Sequence, residues 1–217
     1  MRSTSGSDDR GWLAQGASAD STEVRAYYDD WAETYDDTLR QWGYEAPDRV
    51  AQRMAARLNP SQATILDAGC GTGMTGLALQ QAGFKMIDGL DLSPESVKLA
   101  ALCGAYRNVV EHSLAQPLPF VDAAYDGIQC VGVFTYLSEP ESVLREFARV
   151  TRPGGTLIFT QRSDLYESLS FDDRLGKLNA EQGLWHIVDR SEPSPYLPNH
   201  PDFADRIQVI YCVCERR

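Results

Sequence analysis

The stretch Ile65-Leu66-Asp67-Ala68-Gly69-Cys70-Gly71-Thr72-Gly73-Met74-Thr75-Gly76 carries the residues best suited to chemistry. An apolar run ends in a carboxylate and breaks into a glycine-rich turn before a helical pattern begins. Glycines at this spacing allow positive φ and let a ligand approach the backbone closely. The helix that follows offers unpaired N–H groups at its start. A second carboxylate, Asp91, closes the next apolar run, 20 residues beyond Gly71.

Two ligands compete for this turn. Gly71-x-Gly73-x-x-Gly76 with Asp91 satisfies the dinucleotide pattern and points to NAD. In that pattern, however, the strand runs directly into the first glycine, because a pyrophosphate sits on the turn. Here Asp67 stands four residues before Gly71, with Gly69 between them. A carboxylate aimed into the turn repels a pyrophosphate and suits an ammonium group, directly or through water. Asp67-x-Gly69-x-Gly71-x-Gly73 followed by Asp91 therefore fits a ligand with a cationic amino-acid end and a ribose. S-adenosylmethionine (SAM) is such a ligand, with S-adenosylhomocysteine as its product. The rival readings are an NAD-dependent oxidoreductase and a protein that binds SAM without transferring its methyl group. The 62 residues after Gly155 are too few for the separate substrate domain that the oxidoreductase needs.

The elements that position these residues follow from the hydrophobic pattern. Short apolar runs at Thr64–Ala68, Lys85–Asp91, Asn108–His112, Tyr125–Gly132 and Gly155–Thr160 read as strands. Helical segments at Gly73–Ala82, Pro94–Leu102 and Glu139–Val150 separate most of them. Regular exchange of this kind predicts an α/β, Rossmann-like doubly wound sheet of parallel βαβ units. Arg206–Cys214 has no room for a following helix and is expected as a late antiparallel strand near the sheet edge. Ahead of the sheet, Val24, Tyr27, Tyr28, Trp31 and Tyr35 recur at helical spacing, and Pro47–Leu58 forms a second helix. The expected organisation is a disordered leader over 1–20 and one domain over 21–217, with a helical cap over 21–60.

Composition bounds the function. The 217-residue chain carries 20 basic and 31 acidic residues, a net charge of −11, which opposes tracking of a phosphate backbone. No apolar run approaches the roughly 20 residues of a membrane-spanning helix, and the leader shows no secretory signal. Five cysteines without CxxC spacing read as reduced thiols of a cytoplasmic protein. The three histidines flank no cysteine at ligand spacing, so no metal site is expected. A small-molecule partner is expected, with no nucleic acid and no membrane. The oligomeric state is left open.

From about Val24 onward the chain resembles class I SAM-dependent methyltransferases. The likeness rests on ordered motifs: Tyr28-Asp29-Asp30-Trp31-Ala32-Glu33-Thr34-Tyr35-Asp36, Leu66-Asp67-Ala68-Gly69-Cys70-Gly71-Thr72-Gly73, and Gly89-Leu90-Asp91-Leu92-Ser93-Pro94. It continues through Pro117-Leu118-Pro119-Phe120, Tyr125-Asp126 and Arg152-Pro153-Gly154-Gly155. Ala105-Tyr106-Arg107, Leu114-Ala115-Gln116-Pro117-Leu118-Pro119 and Gly183-Leu184-Trp185 resemble the branch named for the Williams–Beuren syndrome chromosomal region.

The resemblance implies roles. Asp67, Gly69, Cys70 and Gly71 cradle the methionine end, Asp91 accepts from both ribose hydroxyls, and Leu92 packs on the adenine. Ser113 and Leu114 stand where relatives hold the adenine amino group with an Asp, so that contact falls to a hydroxyl or to backbone. Val131 lies near the transferring methyl. Tyr28, Trp31 and Tyr35 either close over the cofactor or form the buried stripe of their helix. Phe134, Tyr136 and Tyr196 are expected to contact the acceptor. Methyl transfer demands positioning more than a catalytic side chain, so no catalytic residue is assigned. His112, His186, His200 and Tyr136 are the general-base candidates.

Overall fold

The computed structural model describes residues 34–201, 204 and 206–217. The proposed leader, Tyr28 and Trp31 lie outside them. Within the described residues, β1 (Thr64–Ala68), β2 (Met86–Asp91), β3 (Asn108–Glu111), β4 (Tyr125–Cys130), β5 (Thr151–Arg162), β6 (Trp185–Arg190), β7 (Ser194–Pro195) and β8 (Gln208–Arg216) form one sheet. Its order is β3-β2-β1-β4-β5-β8-β6, with β7 paired to the start of β8. The first five strands are mutually parallel, and β8 runs antiparallel to both β5 and β6.

Alternation along the strands builds two cores. Leu66, Ile128, Leu157 and Phe159 point to one face, where they meet Leu144, Phe147, Phe171 and Trp185. Ile65, Ile87 and Ile158 point to the other, beneath Val50, Met54 and Leu79. The parallel strands are covered on both sides, which is why they read as near-continuous apolar runs. Helix α1 (Ala46–Ala55) supplies Val50, Ala51 and Met54 to the second face. Helices α2 (Met74–Gln81), α3 (Pro94–Leu102) and α4 (Pro140–Val150) are the crossovers. In α4 the buried residues Val143, Leu144, Phe147, Ala148 and Val150 fall at helical spacing, and Pro140 starts the first turn.

Two expectations change. The final strand is antiparallel as expected, but β6 lies outside it and takes the edge. That strand exposes His186, Asp189 and Arg190 and so lacks the apolar alternation that betrays a strand. The fifth strand runs past Thr160 to Arg162. This extension carries Gln161 and Arg162 to the carboxyl end of the sheet.

Candidate cofactor and acceptor site

Strand order reverses between β1 and β4, and the crevice beyond the carboxyl ends of such neighbours is where doubly wound sheets bind ligands. Asp67 stands next to last in β1 there, in register with Gln129 of β4. Gly69, Gly71 and Gly73 all have positive φ, at 79°, 52° and 108°. A β-carbon on Gly69 would lie 2.3 Å from Val133, whereas one on Gly71 would meet nothing within 4 Å. The backbone at Gly71 thus borders open space, as a ligand cradle requires.

Asp91 is fixed by that turn. Its Oδ2 accepts from the Gly71 N–H at 2.8 Å, and its Oδ1 accepts from the Ser93 N–H at 2.9 Å. Ser93 caps α3 by accepting from the Ser96 N–H, and Pro94 follows at the first helical position. The His112 N–H donates to the Asp91 carbonyl, which brings Ser113 beside it. The Ser113 hydroxyl accepts from Ala115 N–H at 3.2 Å, and Leu114 packs against the core.

Asp67 is fully buried. Its Oδ2 accepts from the Thr75 hydroxyl at 2.6 Å and the Tyr106 hydroxyl at 2.7 Å, while Oδ1 has no hydrogen-bond partner. Gln129 beside it is also buried with both side-chain polar atoms unpaired. Burial dominates and raises the Asp67 carboxyl from the ordinary 3.8 to about 6, against hydrogen bonds that pull it down. An orphaned carboxylate oxygen at the mouth of a glycine turn suits a cationic donor.

Tyr106 braces the start of α2 against Asp67. Its hydroxyl accepts the Gly76 N–H at 2.9 Å, so that N–H of the α2 terminus is spent within the protein. Gly76 is glycine because Tyr106 rests on it: a β-carbon there would fall 2.2 Å from the ring. The third glycine of the dinucleotide register therefore serves the protein's own tyrosine, and the carboxylates of Asp67 and Asp91 flank the turn.

A helical segment over 34–41 lies across this turn. The Thr72 hydroxyl donates to Asp36 in a short hydrogen bond. Burial raises the Tyr35 hydroxyl well above its ordinary value, with Tyr196, Tyr136, Asp36 and Asp91 adding to it, so Tyr35 stands between the turn and the neighbouring cleft. Leu39 packs with Leu197 and Ile207, and the Trp42 carbonyl accepts from Asn199 N–H at 3.0 Å.

That cleft opens past the ends of β4 and β5 and is lined by Gly132, Thr135, Tyr136, Gln161, Arg162 and Tyr196 among others. Gly132 has φ 75°, and a β-carbon on it would lie 3.2 Å from the Tyr196 hydroxyl and 3.3 Å from that of Tyr44. Tyr136 and Tyr196 line this cleft. Phe134 does not: it is 1% exposed and stacks on Phe159 with centroids 4.4 Å apart. Its alternation into the first core face, not its position after β4, sets its role. Val131 and Cys70 are buried next to the turn.

The histidines stand apart from this chemistry. His112 Nε2 is 3.1 Å from the Pro117 carbonyl, His186 is exposed on β6, and His200 packs on Trp42 at 4.3 Å. Sequence reasoning missed Gln129 and Gln161, which carry no motif signal, while Thr75 and Asp36 stood inside quoted motifs without a role assigned to them. Tyr106 entered only as part of a family likeness.

Residues 66–159 match the family model described as a methyltransferase domain. Methyltransferase-like protein 27 of Homo sapiens, from the Williams–Beuren region, is 32% identical over 165 residues, covering 73% of this chain and 66% of that protein. A ubiquinone biosynthesis O-methyltransferase of Xanthomonas oryzae is 27% identical over 133 residues, 56% of this chain and 55% of that protein. The chain thus spans between about half and two thirds of these relatives. Magnesium protoporphyrin IX methyltransferase from Synechocystis PCC 6803, solved with bound SAM, shares the fold at TM-score 0.68 and 21% identity over 93% of this chain and 99% of that one. With the ordered motifs and the geometry of the turn, these likenesses make the chain a member of the class I SAM-dependent methyltransferases.

Proposed function

We propose that the protein transfers a methyl group from SAM to a small-molecule acceptor held in the cleft beyond β4 and β5. The observation that carries this reading is the pairing of two carboxylates on one glycine turn. Asp67 offers a buried, unpaired oxygen to an ammonium group, and Asp91 offers both oxygens to a ribose. When bound, SAM supplies a methyl group activated by a sulfonium. Gly69, Cys70 and Gly71 follow the methionine end, Leu92 flanks the adenine, and Ser113 and Leu114 border its far edge. Val131 faces the methyl.

The chain's remaining contribution is position and exclusion of water. Tyr35 and Asp36 hold the helical segment over the turn. Aromatic faces there suit a sulfonium cation. Five free cysteines support a reducing, cytoplasmic setting.

Asp91→Ala removes a charged partner from the ribose. S-adenosylhomocysteine, titrated calorimetrically, should bind roughly ten- to a hundredfold more weakly to that variant. Affinity equal to that of the unaltered protein would displace the ribose from Asp91 and overturn the assignment.

A further inference from the structure

The cleft presents donors. Gln161 is 1% exposed, and its Oε1 accepts from the Thr135 hydroxyl at 2.8 Å and from the Arg162 N–H at 2.9 Å. A backbone N–H can only donate, so this pair fixes the orientation of the amide. The other end, Nε2, is buried and has no hydrogen-bond partner. The Tyr196 hydroxyl lines the same cleft in hydrogen-bond contact with the Tyr44 hydroxyl, and a phenol can donate as well as accept. The Arg162 guanidinium is paired with Asp164 at 2.7 Å, and its positive charge reaches Tyr196.

A buried, unpaired amide N–H costs free energy until an acceptor meets it. No carboxylate lines the cleft among the described residues. Among the described lining residues an ammonium group would find no carboxylate to pair with, whereas an oxyanion would find the Gln161 amide N–H and the hydroxyls as donors.

The lining also holds its protons. Burial pushes the Tyr196 hydroxyl, and those of Tyr35 and Tyr44 beside it, above their ordinary range. Such groups donate hydrogen bonds at neutral pH and do not take a proton from an acceptor. A phenol or an ammonium must lose a proton before it attacks; a carboxylate is ionised already.

Resting on the methyl-transfer reading above, we propose that the acceptor is a carboxylic acid, seated as its carboxylate on Gln161 Nε2 and the Tyr196 hydroxyl, and that the product is its methyl ester. A carboxylate oxygen supplies the electron pair for the new O–CH3 bond as the methyl–sulfur bond breaks. The pair of the broken bond stays on sulfur, S-adenosylhomocysteine leaves, and no proton changes hands. A lining that holds no carboxylate or histidine among the described residues is then a fit to the chemistry.

The test uses protein saturated with S-adenosylhomocysteine, titrated calorimetrically with benzoate, benzyl alcohol or benzylamine, three probes sharing one ring. Benzoate should bind at least tenfold more tightly than the others. Gln161→Glu keeps the shape, replaces the donor with an acceptor and should erase that preference. Its affinity for S-adenosylhomocysteine should match the unaltered protein, which shows that the fold persists. Equal response to all three probes, including none to any, overturns the proposal, as does a benzoate preference that survives Gln161→Glu. Failure of S-adenosylhomocysteine itself to bind would instead strike the methyl-transfer reading, so the two failures are told apart.

Discussion

Gly76→Ala should destabilise the protein by roughly 2–4 kcal/mol, although the substitution usually favours a helix by up to about 1 kcal/mol. The new methyl group would occupy the space of the Tyr106 ring, whose nearest atom would be 2.2 Å away. Tyr106 cannot swing aside freely, because its hydroxyl donates to Asp67 and accepts from Gly76. Moving it strips a hydrogen bond from a buried carboxylate, a loss of about 1.5–3 kcal/mol, and orphans a helix N–H as well. Urea denaturation gives the magnitude, and a second background gives the cause. In a Tyr106→Ala protein the same Gly76→Ala change should lose its cost and stabilise the helix. A penalty that persists there would mean that Gly76 serves something other than Tyr106.

Asp67→Asn is expected to act in opposite directions on stability and on binding. The Asp67 carboxyl is raised from 3.8 to about 6 by burial, which corresponds to about 3 kcal/mol between its two protonation states. Its folded value lies above its unfolded one, so the protonated form favours folding. The contribution is complete below about 3.8 and is lost as pH rises through about 6. Ligand-free protein should therefore melt at progressively lower temperature between pH 4 and pH 7, over the window set by those two values. Asn keeps an oxygen to accept from Thr75 and Tyr106 but carries no charge. It should flatten that slope and raise the melting temperature at pH 7.5. The same change removes the partner of the ligand's ammonium group, so affinity for S-adenosylhomocysteine should fall roughly ten- to a hundredfold. Melting curves across pH, with calorimetric titration, check both signs. Lower ligand-free stability with unchanged affinity would contradict the account.

How much of this was legible in the sequence depends on the kind of signal. The parallel strands announced themselves because burial on both faces makes them continuous apolar runs, as in Thr64–Ala68. Asp67 and Asp91 were legible because each ends such a run, and the glycines because positive φ restricts the residue type. The edge strand β6 was not, since its outward side chains meet water and need no pattern. Phe134 was misplaced for a related reason: a 3₁₀ turn over Phe134–Tyr136 sends Phe134 to the core and Thr135 and Tyr136 to the cleft, and the sequence does not reveal its phase.

The donors of the cleft were the least legible. Gln161 and Thr135 sit 26 residues apart and come together only because β5 runs past Thr160. Tyr106 likewise reaches Asp67 across 39 residues. Polar contacts at such separations follow from register, which one sequence does not display. The glycine register shows the opposite hazard, since a motif spacing was present while its third glycine answered to an internal ring.

Cofactor identity carries everything built above it, and thermal melting tests it directly. The purified protein is heated with excess SAM, S-adenosylhomocysteine, NAD or NADP, each alone. Ligand at about a hundred times its dissociation constant stabilises by about 2.7 kcal/mol, a rise of a few degrees for a domain of this size. The account predicts that rise with the two sulfur ligands and none with the nicotinamides. A rise with NAD or NADP alone would contradict it and return the turn to the Gly71-Gly73-Gly76 register.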